Sequence, residues 1–295
     1  MTTTTTTTTT APIVRLMRAL AHLPLPVLRA LGAALGVLFY VFKRRRRRIA
    51  LTNLRLCFPE WSEAERRRVA RRNFCRFMQA LFDRAWVWHA PPEVVRRRIR
   101  LVGEVHELRR AEAAVIFAPH FYGMDAGGAA IMQQAVQRGA SIYSPQNDAA
   151  FDAWMRAGRE RFGDTLMLNR RDGVRAAIRA LRSGRYLYLL PDMDLGAQDA
   201  VFVPFFGVPC ATVAALPRLA RLAGVRVVAS ITRMTPTGYE TRISAPWPDY
   251  PSGNDEADTA LMNQRLEEEI RALPEQYYWV HQRFKTRPPG QAGVY

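Results

Sequence analysis

From residue 99 onward, short apolar runs alternate with longer amphipathic segments, and this alternation constrains the fold more than any other feature of the sequence. The short runs predict strands over residues 115–117, 141–143, 186–190, 225–231 and 240–244. The amphipathic segments predict helices over residues 125–137, 151–162, 173–182, 211–222 and 255–273. Strands that alternate with helices in this way are typical of an α/β domain with a largely buried, mostly parallel central sheet.

The first 48 residues differ in character from the rest. Met1 is followed by nine threonines, a low-complexity start that contributes no core residues. Residues 11–42 are the most apolar stretch, but the uncharged part, 30–42, is thirteen residues long, shorter than the ~20 that a transmembrane helix needs. We predict a membrane-associated helix here, and the sequence leaves open whether it spans the membrane or lies on it. A helix capped by Ser62, with Glu65 completing the capping box, is expected to run to about Trp88.

The charge of the chain indicates its partners. Lys and Arg total 43 against 26 Asp and Glu, a formal net charge of +17, which suits anionic lipid, nucleic acid or an acidic protein. The block 43–48, one Lys and five Arg, directly follows the apolar stretch, as on the cytoplasmic flank of a membrane segment. This adjacency favours a membrane, and not a nucleic acid, as the partner of the basic block. A basic nucleic-acid-binding protein remains an alternative of another functional class.

Several common sites are absent from the sequence. It contains no GxSxG, GxxxxGK[ST], HExxH or GxGxxG after a strand, which argues against serine hydrolases, P-loop NTPases, zincins and Rossmann enzymes. The three cysteines have no CxxC spacing and are expected to be free thiols.

His120 is the histidine best placed for chemistry. It ends the predicted strand that begins at Val115, and the carboxyl ends of strands are where α/β sheets meet their ligands. Asp125 follows about one helical turn later, with small residues at 126–128. We expect the carboxylate to fold back and fix the imidazole tautomer, while the other ring nitrogen removes a proton from a hydroxyl.

Five segments carry a resemblance to a known family. Residues 120–125, HFYGMD, look like the HxxxxD motif of glycerolipid-type acyltransferases. Four further segments resemble the late acyltransferases of lipid A biosynthesis, the lauroyl and myristoyl transferases: 53–60 (NLRLCFPE), 191–196 (PDMDLG), 201–207 (VFVPFFG) and 274–288 (PEQYYWVHQRFKTRP). The resemblance covers nearly the whole chain past the threonines, in the same order.

The resemblance implies a fold, a reaction and a location. It implies one αβα glycerolipid-acyltransferase-like domain over residues 49–295, preceded at 1–48 by the low-complexity start, membrane-associated helix and basic flank. It implies an enzyme at the cytoplasmic face of the bacterial inner membrane. That enzyme moves a lauroyl or myristoyl chain from acyl carrier protein to a 3-hydroxyl of an acyl chain on a Kdo-bearing lipid A precursor. His120 is then the general base and Asp125 its orienting partner, with no metal or cofactor.

One departure from the family pattern bears on the acceptor. Many lauroyl transferases carry Tyr-Arg-Pro where this chain has Tyr143, Ser144 and Pro145. The same chemistry on a glycerophospholipid or another glycolipid therefore stays open, and Arg170, Arg171 or Arg175 is a candidate to replace the missing guanidinium.

Four groups of secondary candidates each have two interpretations. Substrate binding at Arg170 and Arg171 competes with solvated arginines beside a helix cap at Asp172. Asp192 and Asp194 either bind substrate or make structural hydrogen bonds. Arg283, Lys285 and Arg287 either bind an anionic headgroup or belong to a solvated tail. Phe202, Phe205 and Phe206 either form the wall of an acyl channel or pack in the core.

Overall fold

The computed structural model describes residues 12–295, so the predicted low-complexity start at 1–10 lies outside the described residues. The strands are β1 (Ile99–Gly103), β2 (Ala114–Phe117), β3 (Arg138–Tyr143), β4 (Asp164–Asn169), β5 (Tyr186–Leu189), β6 (Ala200–Phe205), β7 (Val208–Val213), β8 (Arg226–Thr235) and β9 (Gly238–Ile243). The α-helices are α1 (Pro12–Leu20), α2 (Leu25–Phe42), α3 (Arg44–Cys57), α4 (Glu63–His89), α5 (Pro92–Arg98), α6 (Met124–Gln134), α7 (Ala149–Arg159), α8 (Gly173–Arg182), α9 (Ala215–Ala223) and α10 (Asp255–Ala272).

A seven-stranded sheet forms the centre of the molecule, with the order β1-β9-β8-β2-β5-β3-β4. Every neighbouring pair in it is parallel except β8 and β9, which form an antiparallel pair. All four residues of β2 are buried, as expected of a strand covered on both faces. The predicted α/β fold with a mostly parallel sheet is confirmed.

A hairpin separate from this sheet corrects one predicted helix. Strands β6 and β7 pair in an antiparallel ladder, joined at Phe206 and Gly207, whose φ angles are 52° and 73°. Two consecutive positive φ angles match a type I′ turn. Residues 211–213, predicted as helical, therefore belong to β7, and the helix begins only at Ala215. Pairing with β6 is a long-range contact that the local pattern does not contain.

The N-terminal helices pack on the rest of the chain. α2 is the one helix among residues 12–295 that is long and apolar enough to cross a membrane, by length and composition only. Five of its 18 residues are buried. The basic block was predicted as a membrane flank, and its arginines form the first turns of α3. Ser62 accepts a hydrogen bond from the backbone N–H of Glu65, and α4 ends at His89, so the predicted N-cap and helix are confirmed. The Glu65 carboxylate pairs with Arg68 at 3.0 Å, and in the described part of the chain no hydrogen bond joins it to the backbone N–H of Ser62, so the capping box is half formed.

Candidate active site

A long cavity opens at the carboxyl edge of the sheet and follows the strands toward the amino edge. It has a volume of about 770 Å³ and is lined by residues of β3, β4, β5, α6 and α7 and of the segments that follow the strands. Along β3 the lining runs from Gly139 to Tyr143, a distance of about 13 Å at 3.3 Å per residue. The cavity is therefore elongated along the strand direction.

The two ends of this cavity differ in polarity. At the carboxyl edge it is lined by exposed residues, among them Ser144, Gln146 and Arg170, so this end is its mouth. At the amino edge it is lined by Val136, Met132 and Tyr186, which are buried or half-buried. A polar mouth and an apolar interior suit a ligand that has one polar end and a long apolar part.

His120 lines this cavity and is held by Asp192. Because β2 and β5 are parallel neighbours, their carboxyl ends meet at one edge of the sheet. His120 comes three residues after β2, and Asp192 comes three residues after β5. The imidazole Nδ1 lies 2.7 Å from Oδ1 of Asp192, and the backbone N–H of His120 donates to Oδ2 at 2.9 Å.

The Asp192 carboxylate is fully buried, and its environment keeps it ionised. Burial alone raises the pKa of this carboxyl, but the charge of His120 and the hydrogen bonds from His120 lower the pKa below its ordinary value. An ionised carboxylate only accepts hydrogen bonds, so Nδ1 of His120 is the protonated nitrogen. Nε2 of the neutral ring is then unprotonated, as a general base requires.

Asp125 lies at the same cavity but has other partners. Arg84 donates from Nε to its Oδ2 at 2.8 Å, and Arg159 donates from Nε to its Oδ1 at 2.9 Å. Burial opposes ionisation, yet the two guanidinium groups lower the pKa of Asp125 to about 2. Within residues 12–295, no ion pair within 4 Å joins Asp125 to His120. The expected contact between these two side chains is wrong, because α4 and α7 present arginines to both carboxylate oxygens.

Comparison with known proteins identifies the family. The profile of the family described as bacterial lipid A biosynthesis acyltransferase matches residues 3–286. The lipid A biosynthesis lauroyltransferase of Escherichia coli (strain K12) is 34% identical over 281 residues, covering 93% of this chain and 90% of the relative. The lipid A biosynthesis myristoyltransferase of the same organism is 34% identical over 275 residues, covering 92% of this chain and 83% of the relative.

The chain belongs to the bacterial lipid A biosynthesis acyltransferase family. The resemblance seen in the sequence is thereby confirmed, and the protein is an acyltransferase. A palmitoleoyltransferase of lipid A biosynthesis from Escherichia coli (strain K12) is also 33% identical over 281 residues, covering 93% of this chain and 90% of the relative. Relatives named for different acyl groups are thus similar to this chain to almost the same degree.

The C-terminal motif of this acyltransferase is a structural brace around Asp194. The Asp194 carboxylate accepts hydrogen bonds from the backbone N–H of Thr286 at 2.8 Å and from its hydroxyl at 2.9 Å. The backbone N–H of Asp194 donates to Nε2 of His281 at 3.1 Å. Burial, followed by the charges of Arg283 and His120, lowers the pKa of His281 to about 4. The segment that carries Asp192 is therefore fixed from its other side by the tail.

The three basic candidates of the tail have different positions in the acyltransferase. Arg283 is buried and donates to the carbonyl oxygen of Ala211 at 2.8 Å and to the hydroxyl of Thr212 at 2.7 Å. Arg287 donates to the carbonyl oxygen of Pro209 at 2.6 Å. These two guanidinium groups tie the tail to β7, so neither expected role, headgroup binding or solvated tail, describes them. Lys285 is exposed, and none of the three lines the cavity.

Among the other candidates, only Arg170 lines the cavity of the acyltransferase. Arg171 is exposed beside a capping box that joins Asn169 and Asp172. Phe205 and Phe206 belong to the main core, and Phe202 is half-buried opposite Ala211 in the hairpin. The lining of the cavity does not include these three rings, so of the two interpretations core packing describes Phe205 and Phe206.

Two arginines of the candidate site are not predicted by the sequence analysis. Arg84 lies near the end of α4 and Arg159 ends α7, and neither belongs to a segment that resembles the family. Arg159 lines the cavity together with Arg170. The sequence feature that points to Arg159 is its position on the predicted amphipathic helix 151–162, which lies close to the predicted site in the sequence. Ser144, which stands where many lauroyl transferases have an arginine, also lines the mouth. Arg159 and Arg170 are therefore the candidates among the lining residues for the positive charge that Ser144 does not supply.

Proposed function

We propose that this acyltransferase transfers a lauroyl- or myristoyl-type chain from acyl carrier protein to a hydroxyl of a lipid A precursor. The acceptor group is the 3-hydroxyl of an acyl chain on a Kdo-bearing precursor. The observation that carries the proposal is His120, backed by a buried carboxylate, at an elongated apolar cavity in a chain of this family. The cavity receives the acyl chain, and the thioester carbonyl stops beside the imidazole.

The chemistry follows from the hydrogen bond between Nδ1 of His120 and the Asp192 carboxylate. Nε2 of His120 removes the proton from the acceptor hydroxyl as its oxygen attacks the thioester carbonyl. Asp192 holds the ring in its tautomer and stabilises the imidazolium that forms. When the tetrahedral intermediate collapses, the carbon–sulfur bond breaks, and the imidazolium returns its proton to the leaving thiolate. The products are an ester and the free thiol of the carrier.

Charge supports the same pair of substrates. A phosphorylated acceptor and an acidic carrier protein are both anionic, and the chain carries a net charge of +17. At the mouth, Arg170 is exposed and Arg159 is partly exposed. Arg159 is held by Asp125, which fixes its guanidinium in place. The family supports membrane association, and we place the catalytic domain, residues 49–295, on the cytoplasmic side of the inner membrane.

Acyl transfer with a defined donor and acceptor tests the proposal. Wild type is incubated with lauroyl- and myristoyl-acyl carrier protein and a Kdo-bearing lipid A precursor, and the ester is quantified beside the His120→Ala variant. His106→Ala is the matched control, because its side chain is 69% exposed in a polar segment away from the cavity. We expect transfer by wild type and control, and a loss of at least 10³-fold in the His120 variant.

The other outcomes are equally informative. Transfer to a glycerophospholipid but not to the lipid A precursor would keep the chemistry and overturn the acceptor. Full activity of His120→Ala would overturn the base. No transfer to any lipid, together with salt-sensitive binding to DNA, would favour the basic nucleic-acid-binding alternative.

A further inference from the structure

Helix α2 presents a continuous apolar stripe to the solvent. Seven of the twelve exposed large hydrophobic residues in the described part of the chain lie between residues 16 and 42. On α2 they are Val27, Leu31, Leu35, Leu38, Val41 and Phe42. These positions recur every three or four residues, so they lie on one face of the helix. An apolar surface of this length indicates a binding partner rather than water.

The opposite face of α2 is fixed lengthwise on α4. A Cβ atom on Gly32 would lie 2.9 Å from the Cα of Gln79, and one on Gly36 would lie 2.5 Å from the Cα of Cys75. The two backbones therefore approach each other as closely as glycines allow. Arg29 adds a buried ion pair, with Nη2 2.9 Å from Oδ2 of Asp83. Wherever α2 lies relative to a membrane, α4 lies beside it.

The partner helix α4 is not suited to hydrocarbon. Its exposed arginines Arg67, Arg68, Arg71 and Arg72 line a groove beside Val37, Tyr40 and Cys75, which we call the arginine groove. Arg68 pairs with Glu65 at 3.0 Å, and Arg72 lies 3.6 Å from Glu275. In the described part of the chain, Arg67 and Arg71 have no acidic partner within 4 Å. Gly32 lies against Gln79 and Gly36 against Cys75, so the two helices run antiparallel and the arginine groove lies level with the C-terminal end of α2. If α2 spanned the bilayer, the later part of α4 would enter the hydrocarbon together with the Arg29–Asp83 ion pair, at great cost.

We propose that α2 lies in the plane of the membrane interface and that the arginine groove binds the phosphates of anionic phospholipids. The apolar stripe then faces the acyl chains, and the arginines reach the headgroups from beside it. The same arrangement places the exposed arginines at the start of α3 at the surface of the membrane, where anionic lipid attracts them. This inference goes beyond the proposed reaction and does not depend on it.

The first test measures the sidedness of the two ends of α2. Two single-cysteine variants are made in a Cys75→Ser background: His22→Cys, in the turn before α2, and Arg45→Cys, in the basic block. Cys57 and Cys210 are buried, and both new positions are exposed. Sealed spheroplasts are treated with a membrane-impermeant maleimide before and after lysis. We expect both positions to be protected before lysis and labelled after it, whereas labelling of position 22 alone from outside would show that α2 spans the membrane.

The second test measures vesicle binding with matched controls. Flotation compares vesicles of phosphatidylcholine with vesicles that also contain phosphatidylglycerol. The R67Q/R71Q variant is expected to lose affinity for the anionic vesicles by about fivefold per arginine. Its control is R96Q/R97Q, two exposed arginines of α5. Leu35→Gln with Leu38→Gln is expected to weaken binding to both kinds of vesicle, and its control is Leu222→Gln, an equally exposed leucine of α9.

Three results of the binding measurements would overturn the proposal, in addition to the labelling of position 22 from outside. The first is an affinity of R67Q/R71Q for anionic vesicles equal to that of wild type, and the second is a loss of this affinity in R96Q/R97Q as large as in R67Q/R71Q. The third is binding of inorganic phosphate that R67Q/R71Q abolishes while its binding to vesicles is unchanged. The last result would assign the groove to a soluble anion. Because none of these measurements uses acyl transfer, they stand whether or not the proposed reaction is correct.

Discussion

Nδ1 of His120 lies 2.7 Å from Oδ1 of Asp192, and the backbone N–H of the same histidine donates to the other oxygen of that carboxylate. One buried side chain thus fixes both the ring and the main chain of the proposed base. Asp125, the carboxylate of the HxxxxD motif, is instead held by Arg84 and Arg159. We therefore expect the two aspartates to have separable roles, one in the tautomer of the proposed base and one in the architecture of the cavity.

Asp192→Asn is expected to remove most of the activity while the protein stays folded. The amide can donate a proton to Nδ1, which favours the ring tautomer whose Nε2 is already protonated and cannot act as a base. In a Ser-His-Asp triad the equivalent change lowers kcat by about 10⁴, and we expect about 10³–10⁴ here. Single-turnover acyl transfer against pH, with circular dichroism as the folding control, measures this. An unchanged rate and pH profile would show that Asp192 only supports the fold.

Asp125→Asn is expected to act mainly on stability. It leaves two partly buried guanidinium groups without their carboxylate, which costs on the order of 2 kcal/mol of unfolding free energy. Because the pKa of Asp125 is lowered to about 2, its contribution is complete above the ordinary Asp pKa and disappears as the pH falls toward 2. Denaturant titrations at neutral and acid pH should show the difference between wild type and variant shrinking in acid.

The activity of that variant decides between the two carboxylates. If folded Asp125→Asn lost as much rate as Asp192→Asn, the base would depend on Asp125 after all, through a rearrangement on substrate binding. Arg159→Lys is the companion variant, because it keeps the charge but loses the planar hydrogen-bonding geometry of the guanidinium.

The sequence predicts those features that depend on local periodicity. The helix capped by Ser62 and the four-residue core strand that leads to His120 both follow from short-range patterns. The partner of His120 does not, because it depends on which strand lies beside β2. That neighbour is β5, about seventy residues later in the chain. The sequence shows Asp192 only as a polar residue after a strand, whereas its contact with His120 depends on the strand order.

The same limit applies to two residues near the hairpin, Phe205, which the sequence leaves open, and Arg283, for which neither expected role is found. Phe205 lies in an apolar run that suits the wall of a channel and a hydrophobic core equally well. It belongs to the core because β6 packs against α10 and the tail. Arg283 is charged and was expected at the surface or on a headgroup. It is buried because the carbonyl oxygen of Ala211 and the hydroxyl of Thr212 accept its hydrogen bonds. Both outcomes rest on contacts between distant parts of the chain.

Gly128 is expected to set the length of acyl chain that the cavity accepts. It lines the cavity on α6, and a Cβ atom there would meet only the ring of Tyr188, at 3.9 Å. Gly128→Ala should therefore fit with little effect, whereas Gly128→Met projects into the apolar interior. We expect the methionine variant to lower the preference for myristoyl over a decanoyl donor by at least tenfold. An unchanged preference in competition assays would mean that the chain lies elsewhere.

His281 gives the brace around Asp194 a defined dependence on pH. Its pKa is lowered to about 4, so the folded protein binds this proton less tightly than the unfolded chain does. The resulting stability is complete above the ordinary His pKa of ~6.5 and is lost as the pH falls through about 4. His281→Asn removes this titration while keeping an acceptor. The midpoint temperature of thermal unfolding, Tm, should therefore fall more steeply between pH 7 and 4 in wild type than in the variant. Parallel curves of Tm against pH would show that His281 does not contribute to this dependence.

Gly36 is expected to control the docking of α2 on α4. A Cβ atom there would lie 2.5 Å from the Cα of Cys75 and 2.7 Å from the carbonyl oxygen of Phe74, and backbone atoms cannot move aside as a flexible side chain can. Gly36→Ala should therefore lower the unfolding free energy by about 1–3 kcal/mol, although alanine favours helix by about 1 kcal/mol elsewhere. Ala34→Val, on the exposed face of α2, is the control. If Gly36→Ala were as stable as wild type in denaturant titration, the two helices would have room to separate, and the fixed position of α2 beside the arginine groove would be wrong.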